Sequence, residues 1–282
     1  MERFTTNEGL TLMAECVGEG APTLLFVHGF ACDASDWDAQ VAALSRDARV
    51  IILDLPGHGR SSAPKEATLN VLAHAVAEVK ARFSSGPVVM VGHSLGCRVV
   101  LEAISEAPDD VAGVILIEQN LVAGGDTPQA LDLARTRLDE EGFHAFVTPA
   151  YEQMFTSASA SSLRDRVLER LRRMEPGFAT SVFLSALNWE GRCAAQLAKL
   201  TVPVLLIHSR CLDETYQWRG LEPGMTTPWI ELVRSEAPQA EVAIIPGAGH
   251  FVQIEAASAV NAAIADFIKR LEPPRSAKRQ AP

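Results

Sequence analysis

A serine flanked by two glycines is the residue of this chain best suited to covalent chemistry. It is Ser94, in the pentapeptide GHSLG at 92–96, which follows the apolar run 88–91 and precedes a helical pattern that begins near Leu95. A serine on a sharp strand-to-helix turn exposes its hydroxyl, and flanking glycines leave room for the strained backbone. The alternative is a serine that caps the helix. Strand, glycines and helix together favour a nucleophile.

A histidine that could act as the base for Ser94 lies in the segment GAGHF at 247–251, between a predicted strand at 241–245 and the final helix. A neutral imidazole can take the serine proton and later donate it to a leaving group. A lone histidine is often an ordinary core or surface residue, but the strand-end loop and the position after Ser94 favour His250. The ordinary imidazole pKa, about 6.5, predicts activity that rises through pH 6 to 7.

Two backbone N–H groups are candidates for an oxyanion hole. The segment HGF at 28–30 follows a predicted strand at 22–27, so the N–H of Phe30 can face the same cleft as that of Leu95. Leu95 opens a helix, whose positive end also favours developing negative charge. Each such donor lowers the barrier by about 3 kcal/mol. We expect the His28 side chain to hold the loop.

The elements that must position these residues alternate along the chain. Runs rich in Val, Ile and Leu, typical of strands covered on both faces, occur at 22–29, 49–54, 87–91, 113–118 and 202–208. Helical patterns separate them, which predicts a parallel sheet with helices on both sides. The stretch 120–200 has helical segments but no strand pattern. We therefore predict a core at 1–119 and 201–272, a helical cap at 120–200 and a frayed tail at 273–282.

Composition narrows the class of protein. The 282 residues are 48% hydrophobic and 21% charged, as in globular proteins, and the net charge of −10 disfavours nucleic acid and anionic membranes as partners. Five scattered cysteines, with no targeting or membrane-spanning segment, predict a cytoplasmic protein with reduced thiols. No metal-ligand spacing or dinucleotide loop is present, so neither a metal nor a cofactor is expected. The sequence is compatible with either a monomer or a homodimer.

The chain resembles the α/β-hydrolase superfamily in five motifs that run in the family's order. They are HGF at 28–30, DLPGHGRS at 54–61, GHSLG at 92–96, PVLLIH at 203–208 and GAGH at 247–250. The resemblance implies an eight-stranded, mostly parallel sheet, flanked by helices, with a cap after the sixth strand. It also implies an acyl-enzyme mechanism with Ser94 and His250, in the branch that uses a serine nucleophile.

Two carboxylates could complete a triad with Ser94 and His250. Asp213 follows the strand at 203–208, where most of the family places its acid, but Ser209 replaces the usual glycine and Asp213 comes one residue late. Glu118 ends the preceding strand, where some branches of the superfamily place theirs. Either could orient the imidazole. We favour Glu118; its alternative role is to anchor the cap, and that of Asp213 is to be a solvated loop acid.

Apolar residues near the predicted cleft suit a small apolar substrate. The candidates for substrate binding lie in two places. Some lie in or just after the loop at 28–30 that carries the oxyanion candidate, here called the oxyanion loop, and the others lie in the cap: Phe30, Cys32, Trp37, Met154, Phe155, Phe183 and Trp189. The sequence thus predicts a hydrolase for a small carboxylic ester or lactone. The position of Glu118 at the end of its strand also resembles that of the acid in cofactor-free dioxygenases. A cofactor-free dioxygenase or a C–C bond hydrolase is therefore an alternative. A non-catalytic ligand-binding relative is a third.

Overall fold

The strands of the computed structural model form one large sheet and one small hairpin. The structure describes residues 1–65, 67–84, 86–122, 127–213 and 217–271. Its strands are β1 (Glu2–Thr5), β2 (Thr11–Val17), β3 (Thr23–Val27), β4 (Arg49–Asp54), β5 (Val88–His93), β6 (Val111–Ile117), β7 (Val204–His208), β8 (Arg210–Leu212), β9 (Trp218–Gly220) and β10 (Glu241–Ile244). The large sheet has the order β1-β2-β4-β3-β5-β6-β7-β10. Only β2 runs opposite to the other strands of this sheet, so the predicted mostly parallel eight-stranded sheet is confirmed.

Helices cover both faces of this sheet. They are α1 (Asp38–Leu44), α2 (Leu69–Phe83), α3 (Leu95–Glu106), α4 (Thr127–Glu141), α5 (Phe143–Glu152), α6 (Ser161–Arg173), α7 (Pro176–Trp189), α8 (Cys193–Leu197), α9 (Pro228–Glu236), α10 (Val252–Glu255) and α11 (Ala257–Leu271). In β3, Leu25 and Val27 belong to the buried cluster that includes α2, α3, α8 and α9, while Leu24 and Phe26 belong to the cluster that includes α1 and α11. Successive strand residues face opposite sides. The predicted strands lack a polar alternation because both sides are buried.

The described residues between β6 and β7 form helices α4 to α8, joined by turns, and include no strand. Helices α5, α6 and α7 share an apolar cluster with Ala31 and Cys32 of the loop after β3. The end of α7 is tied to α3 by a buried ion pair between Arg98 and Glu190, 2.6 Å apart. The predicted tail at 273–282 lies outside the described residues. None of the described helices is both long and apolar enough to cross a bilayer.

Candidate active site

Ser94 occupies the turn between β5 and α3, with φ 52° and ψ −119°. A non-glycine residue in this region is strained by roughly 1–3 kcal/mol. Its backbone is held by hydrogen bonds from Ser94 N–H to the Ile117 carbonyl and from Cys97 N–H to the Ser94 carbonyl, both 2.9 Å. The Ser94 side chain makes no capping hydrogen bond to α3, and it is partly exposed. The geometry therefore favours a nucleophile over a helix-capping serine.

Close backbone approaches explain the glycines around Ser94. A Cβ at Gly92 would lie 2.5 Å from the Gly96 carbonyl oxygen, and one at Gly96 would collide with the carbonyl of Val27. Since these contacts are with backbone, neither can relax cheaply. The two glycines let α3 pack against the ends of β3 and β5, which fixes the direction of the turn that carries Ser94.

The loop after β3 lies directly against Ser94. A Cβ at Gly29 would be 3.1 Å from the Ser94 Cβ, so the next residue, Phe30, begins beside the nucleophile. His28 holds this loop, because its Nδ1 donates to the Gly29 carbonyl (2.8 Å) and its Nε2 accepts from the Leu55 N–H (2.9 Å). Leu95 is the first residue of α3, so its N–H has no partner within the helix. The N–H groups of Phe30 and Leu95 are thus candidates for an oxyanion hole.

His250 is anchored by its backbone next to the nucleophile turn. Its carbonyl accepts from Nε2 of His93 (2.9 Å), the residue before Ser94, and its N–H donates to the Met154 carbonyl (2.8 Å). Its Nδ1 lies 3.3 Å from Oε2 of Glu118, and both side chains are buried. A carboxylate at this distance can fix the imidazole tautomer that leaves Nε2 free to accept a proton.

Glu118 is held by the neighbouring strand. Its Oε1 accepts from the backbone N–H groups of Ser209 and of Arg210, the latter at 3.2 Å, which leaves Oε2 towards His250. The Ser209 hydroxyl donates to the Ala248 carbonyl (2.8 Å) and so joins this strand end to the His250 loop. Sheet order explains the meeting, because Ser94, Glu118, Ser209 and His250 follow the adjacent parallel strands β5, β6, β7 and β10.

Burial shifts the pKa values of both Glu118 and His250. It raises the pKa of Glu118 to about 7, against the opposing effect of His208 and of the N–H groups of Ser209 and Arg210. Burial, helped by the charge of Arg210, lowers the pKa of His250 to about 3. His250 is therefore neutral near pH 7, as a base must be. The predicted rise in activity through pH 6 to 7 then reflects the Glu118–His250 pair, which gains a proton there as pH falls, rather than an isolated imidazole with its ordinary pKa of 6.5.

Asp213 belongs to the β8–β9 hairpin. Its N–H donates to the Gln217 carbonyl (3.0 Å), and its carboxylate accepts from the Gln217 N–H (3.0 Å) and pairs with Arg219. The carboxylate beside His250 is that of Glu118. The chain between residues 213 and 250 contains β9, α9 and β10.

Four of the seven residues predicted to bind substrate are partly exposed: Phe30, Met154, Phe155 and Phe183. Tyr151 of α5 donates to the Phe30 carbonyl (3.2 Å), and Phe155 stacks on Phe251 with ring centroids 5.2 Å apart. These contacts place apolar surface of the cap near the oxyanion loop and the His250 segment.

The structure corrects the other three. Trp37 is fully buried and packs on Phe26, with ring centroids 4.9 Å apart. Trp189 is also fully buried, and its Nε1 donates to Gln196 (2.7 Å) and Glu102 (3.1 Å). Cys32 is 3% exposed, within the cap cluster. All three offer almost no surface to a ligand. Their burial stabilises the fold instead.

Sequence reasoning missed the residues that surround the histidine. The ring of Trp218, in β9, lies 4.9 Å from that of His250, and Arg210 donates to the carbonyls of Gln153 (2.7 Å) and Trp218 (2.9 Å). The signal available was the altered loop after the strand at 203–208 and its long connection to His250. That signal could indicate an insertion but not its contacts.

Comparisons with known proteins identify the family of this chain. A model of the alpha/beta hydrolase family matches residues 24–263. A pimeloyl-[acyl-carrier protein] methyl ester esterase of Nitrosomonas europaea is 28% identical over 84% of this chain and 91% of its own. The acetyltransferase component of an acetoin cleaving system of Pseudomonas putida is 29% identical over 91% of this chain, which spans only 66% of that protein.

Solved structures show the same fold. An esterase of Thermogutta terrifontis superposes with a TM-score of 0.77, at 24% identity, over 97% of this chain and 100% of its own. The enol-lactonase of Burkholderia xenovorans LB400 gives 0.75, at 21% identity, over 95% and 100%. Since the family model covers most of the sequence, this chain belongs to the alpha/beta hydrolase family and is an enzyme of the hydrolase type.

Proposed function

We propose that this enzyme cleaves small carboxylic esters or lactones through an acyl-enzyme on Ser94. The position of His250 carries this proposal. Its Nδ1 lies 3.3 Å from Glu118 Oε2, while its backbone is bonded to His93, the neighbour of Ser94. A base beside a carboxylate, with its backbone bonded to the nucleophile turn, supports the Ser-His-acid arrangement that acyl transfer requires.

The proposed reaction has two steps, which are acylation of Ser94 and hydrolysis of the acyl-enzyme. The Ser94 oxygen attacks the carbonyl carbon as its proton passes to His250 Nε2, and the oxyanion accepts hydrogen bonds from the N–H groups of Phe30 and Leu95. The bond from carbon to the alcohol oxygen then breaks, and the alcohol leaves with the proton from His250. Water repeats the sequence on the acyl-enzyme, again through His250, and releases the acid. Glu118 stabilises the imidazolium in both steps.

We infer the substrate class from the apolar surface of the loop after β3 and of the cap. The partly exposed residues Phe30, Met154, Phe155 and Phe183 would face an apolar group more favourably than a charged one. The names of the relatives agree, since they include a methyl ester esterase and an enol-lactonase. An acetyltransferase relative shares the transfer of an acyl group.

The test is a serine-directed phosphonate probe followed by mass spectrometry of the labelled peptide. We expect labelling at Ser94 in the wild type and none in Ser94→Ala, with both variants folded by circular dichroism. A panel of p-nitrophenyl esters of increasing chain length, together with several lactones, then identifies the preferred acyl group. A folded wild type that neither labels nor hydrolyses any of them contradicts the proposal.

The position of Glu118 at the end of β6 also favours a second candidate, a cofactor-free dioxygenase or C–C bond hydrolase. In that chemistry the His250–Glu118 pair would remove a proton from an activated carbon acid, and Ser94 would be secondary. Oxygen uptake with hydroxyquinolone-type substrates tests the dioxygenase form. There Ser94→Ala would lower the rate less than His250→Ala, whereas an esterase loses activity in both.

A further inference from the structure

The β8–β9 hairpin brings an aromatic side chain to the histidine of the site. Trp218, the first residue of β9, packs against His250 with ring centroids 4.9 Å apart and planes at 58°. The next residue, Arg219, has a side chain that is 68% exposed and paired with Asp213. Neighbouring positions of one short strand therefore differ sharply, since one faces the site and the other faces solvent.

Arg210 fixes Trp218 in place. Its guanidinium donates to the Trp218 carbonyl (2.9 Å) and to the carbonyl of Gln153 (2.7 Å), just after α5, and it lies 6.0 Å from the centre of the indole ring. The residue after Gln153, Met154, accepts a hydrogen bond from the His250 N–H. Hairpin, cap segment and His250 loop are thus one connected unit, so the indole is a fixed surface.

The proton path decides which part of a substrate meets this surface. His250 donates a proton to the departing alcohol, so that oxygen must lie within hydrogen-bond reach of its imidazole. Among the described residues, three rings pack against this imidazole: His93 and Phe251, each 1% exposed, and Trp218, which is partly exposed. Of the three, Trp218 is the one a bound molecule can reach. A substituent on the alcohol oxygen therefore comes close to the indole.

We propose that Trp218 is a specificity-determining residue that recognises the alcohol portion of the substrate and favours planar aromatic alcohols over small alkyl ones. This inference rests on the proposed esterase function. An aromatic ring gains from edge or offset contact with an indole beyond its buried area. A methyl group is too small to make that contact.

Matched ester series test this inference. Methyl and benzyl acetate differ in alcohol size while their alcohols are of similar basicity, and methyl acetate and methyl hexanoate differ only in the acyl group. We expect Trp218→Ala to lower kcat/KM for benzyl acetate by about tenfold and that for methyl acetate by less than about twofold. The ratio within the acyl series should stay unchanged. Trp218→Phe should retain most of the benzyl preference.

The control is Arg219→Ala, the neighbouring exposed position, which should leave both series unchanged. An equal fall for benzyl and methyl acetate in Trp218→Ala overturns the inference, because it indicates that the indole only supports His250. An unchanged benzyl-to-methyl ratio overturns it as well. In both cases the wild type still hydrolyses esters and the proposed function survives. A wild type that hydrolyses no ester and resists the phosphonate probe overturns both.

Discussion

The Ser94 turn and the Glu118–His250 pair lie side by side but are held by different constraints. Ser94 is fixed mainly by contacts within a few residues, such as the Cys97 N–H and the close approach of Gly92 to Gly96, together with one hydrogen bond to the Ile117 carbonyl of β6. Glu118 is fixed by N–H groups 91 and 92 residues later in the chain, and His250 is later still. The nucleophile side is thus mostly local, whereas the acid side exists only in the assembled sheet.

The largest effect is expected on the nucleophile side. Ser94→Ala removes the oxygen that bonds to the acyl group, and we expect kcat on p-nitrophenyl esters to fall by about 10⁴-fold or more. The residual turnover, still above the rate in free solution, would come from binding and the oxyanion hole alone. A loss of less than about tenfold would exclude an acyl-enzyme on this residue.

A second measurement on the same residue tests the backbone strain. Glycine adopts φ 52° without penalty, whereas alanine does not. Ser94→Gly should therefore unfold at a higher urea concentration than Ser94→Ala, by about 1 kcal/mol in the free energy of unfolding. Equal stability of the two inactive variants would show that the turn stores no strain.

The next effect separates the two carboxylates of the acid side. In Glu118→Gln the amide oxygen accepts from the Ser209 and Arg210 N–H groups, so its NH₂ faces His250 Nδ1 and forces the ring proton onto Nε2. The base then has no free lone pair for Ser94, and we expect kcat to fall by about 10²–10⁴-fold. Asp213→Asn is the matched control and should stay within about threefold of wild type. The reverse order would make Asp213 the acid.

The pH dependence gives a smaller and graded effect. With the pKa of Glu118 raised to about 7 and that of His250 lowered to about 3, the pair holds one proton between these values. The active form has an ionised Glu118 and a neutral His250, so kcat/KM should rise through pH 7 and fall by about tenfold per unit below it. Glu118→Gln should remove this step. A step in the wild type centred near pH 5 would contradict the assignment.

Stability should respond to the same group in the opposite direction. Since the pKa of Glu118 in the folded state lies above its ordinary value of 4.5, folding favours the protonated carboxyl. Its contribution is complete below pH 4.5 and is lost as pH rises through 7. The difference in the free energy of unfolding between wild type and Glu118→Gln, measured by urea titration at several pH values, should therefore change across that window.

The contrast between the two sides also explains what the sequence could predict. The GHSLG turn and the Val- and Ile-rich strands before Ser94 and Glu118 were predictable because backbone geometry and burial within a short segment determine them. Trp37 and Trp189 were wrong as ligand contacts, since composition does not tell whether an indole faces a cleft or the core. Trp218 was missed because its approach to His250 depends on a hairpin 32 residues away in the chain.

The smallest expected effect comes from removing one buried hydrogen bond near Ser94 and one near His250 and comparing the results. The Ser209 hydroxyl donates to the Ala248 carbonyl (2.8 Å), and the Cys97 thiol donates to the Gly92 carbonyl (3.1 Å); both side chains are fully buried. Each alanine variant should lower the free energy of unfolding by about 1 kcal/mol. Only Ser209→Ala should also lower kcat, by about threefold, because its bond positions the His250 loop across the assembled sheet.

Urea titrations and kcat measured on the same two preparations check this pair. The bond at Cys97 duplicates constraints that the glycines and backbone hydrogen bonds around Ser94 already impose, so the turn should keep its shape without it. The bond at Ser209 links the end of β7 directly to the loop after β10 that carries His250. If Cys97→Ala lowers kcat as much as Ser209→Ala does, the nucleophile turn depends on distant packing as much as the acid side does, and the distinction between the two fails.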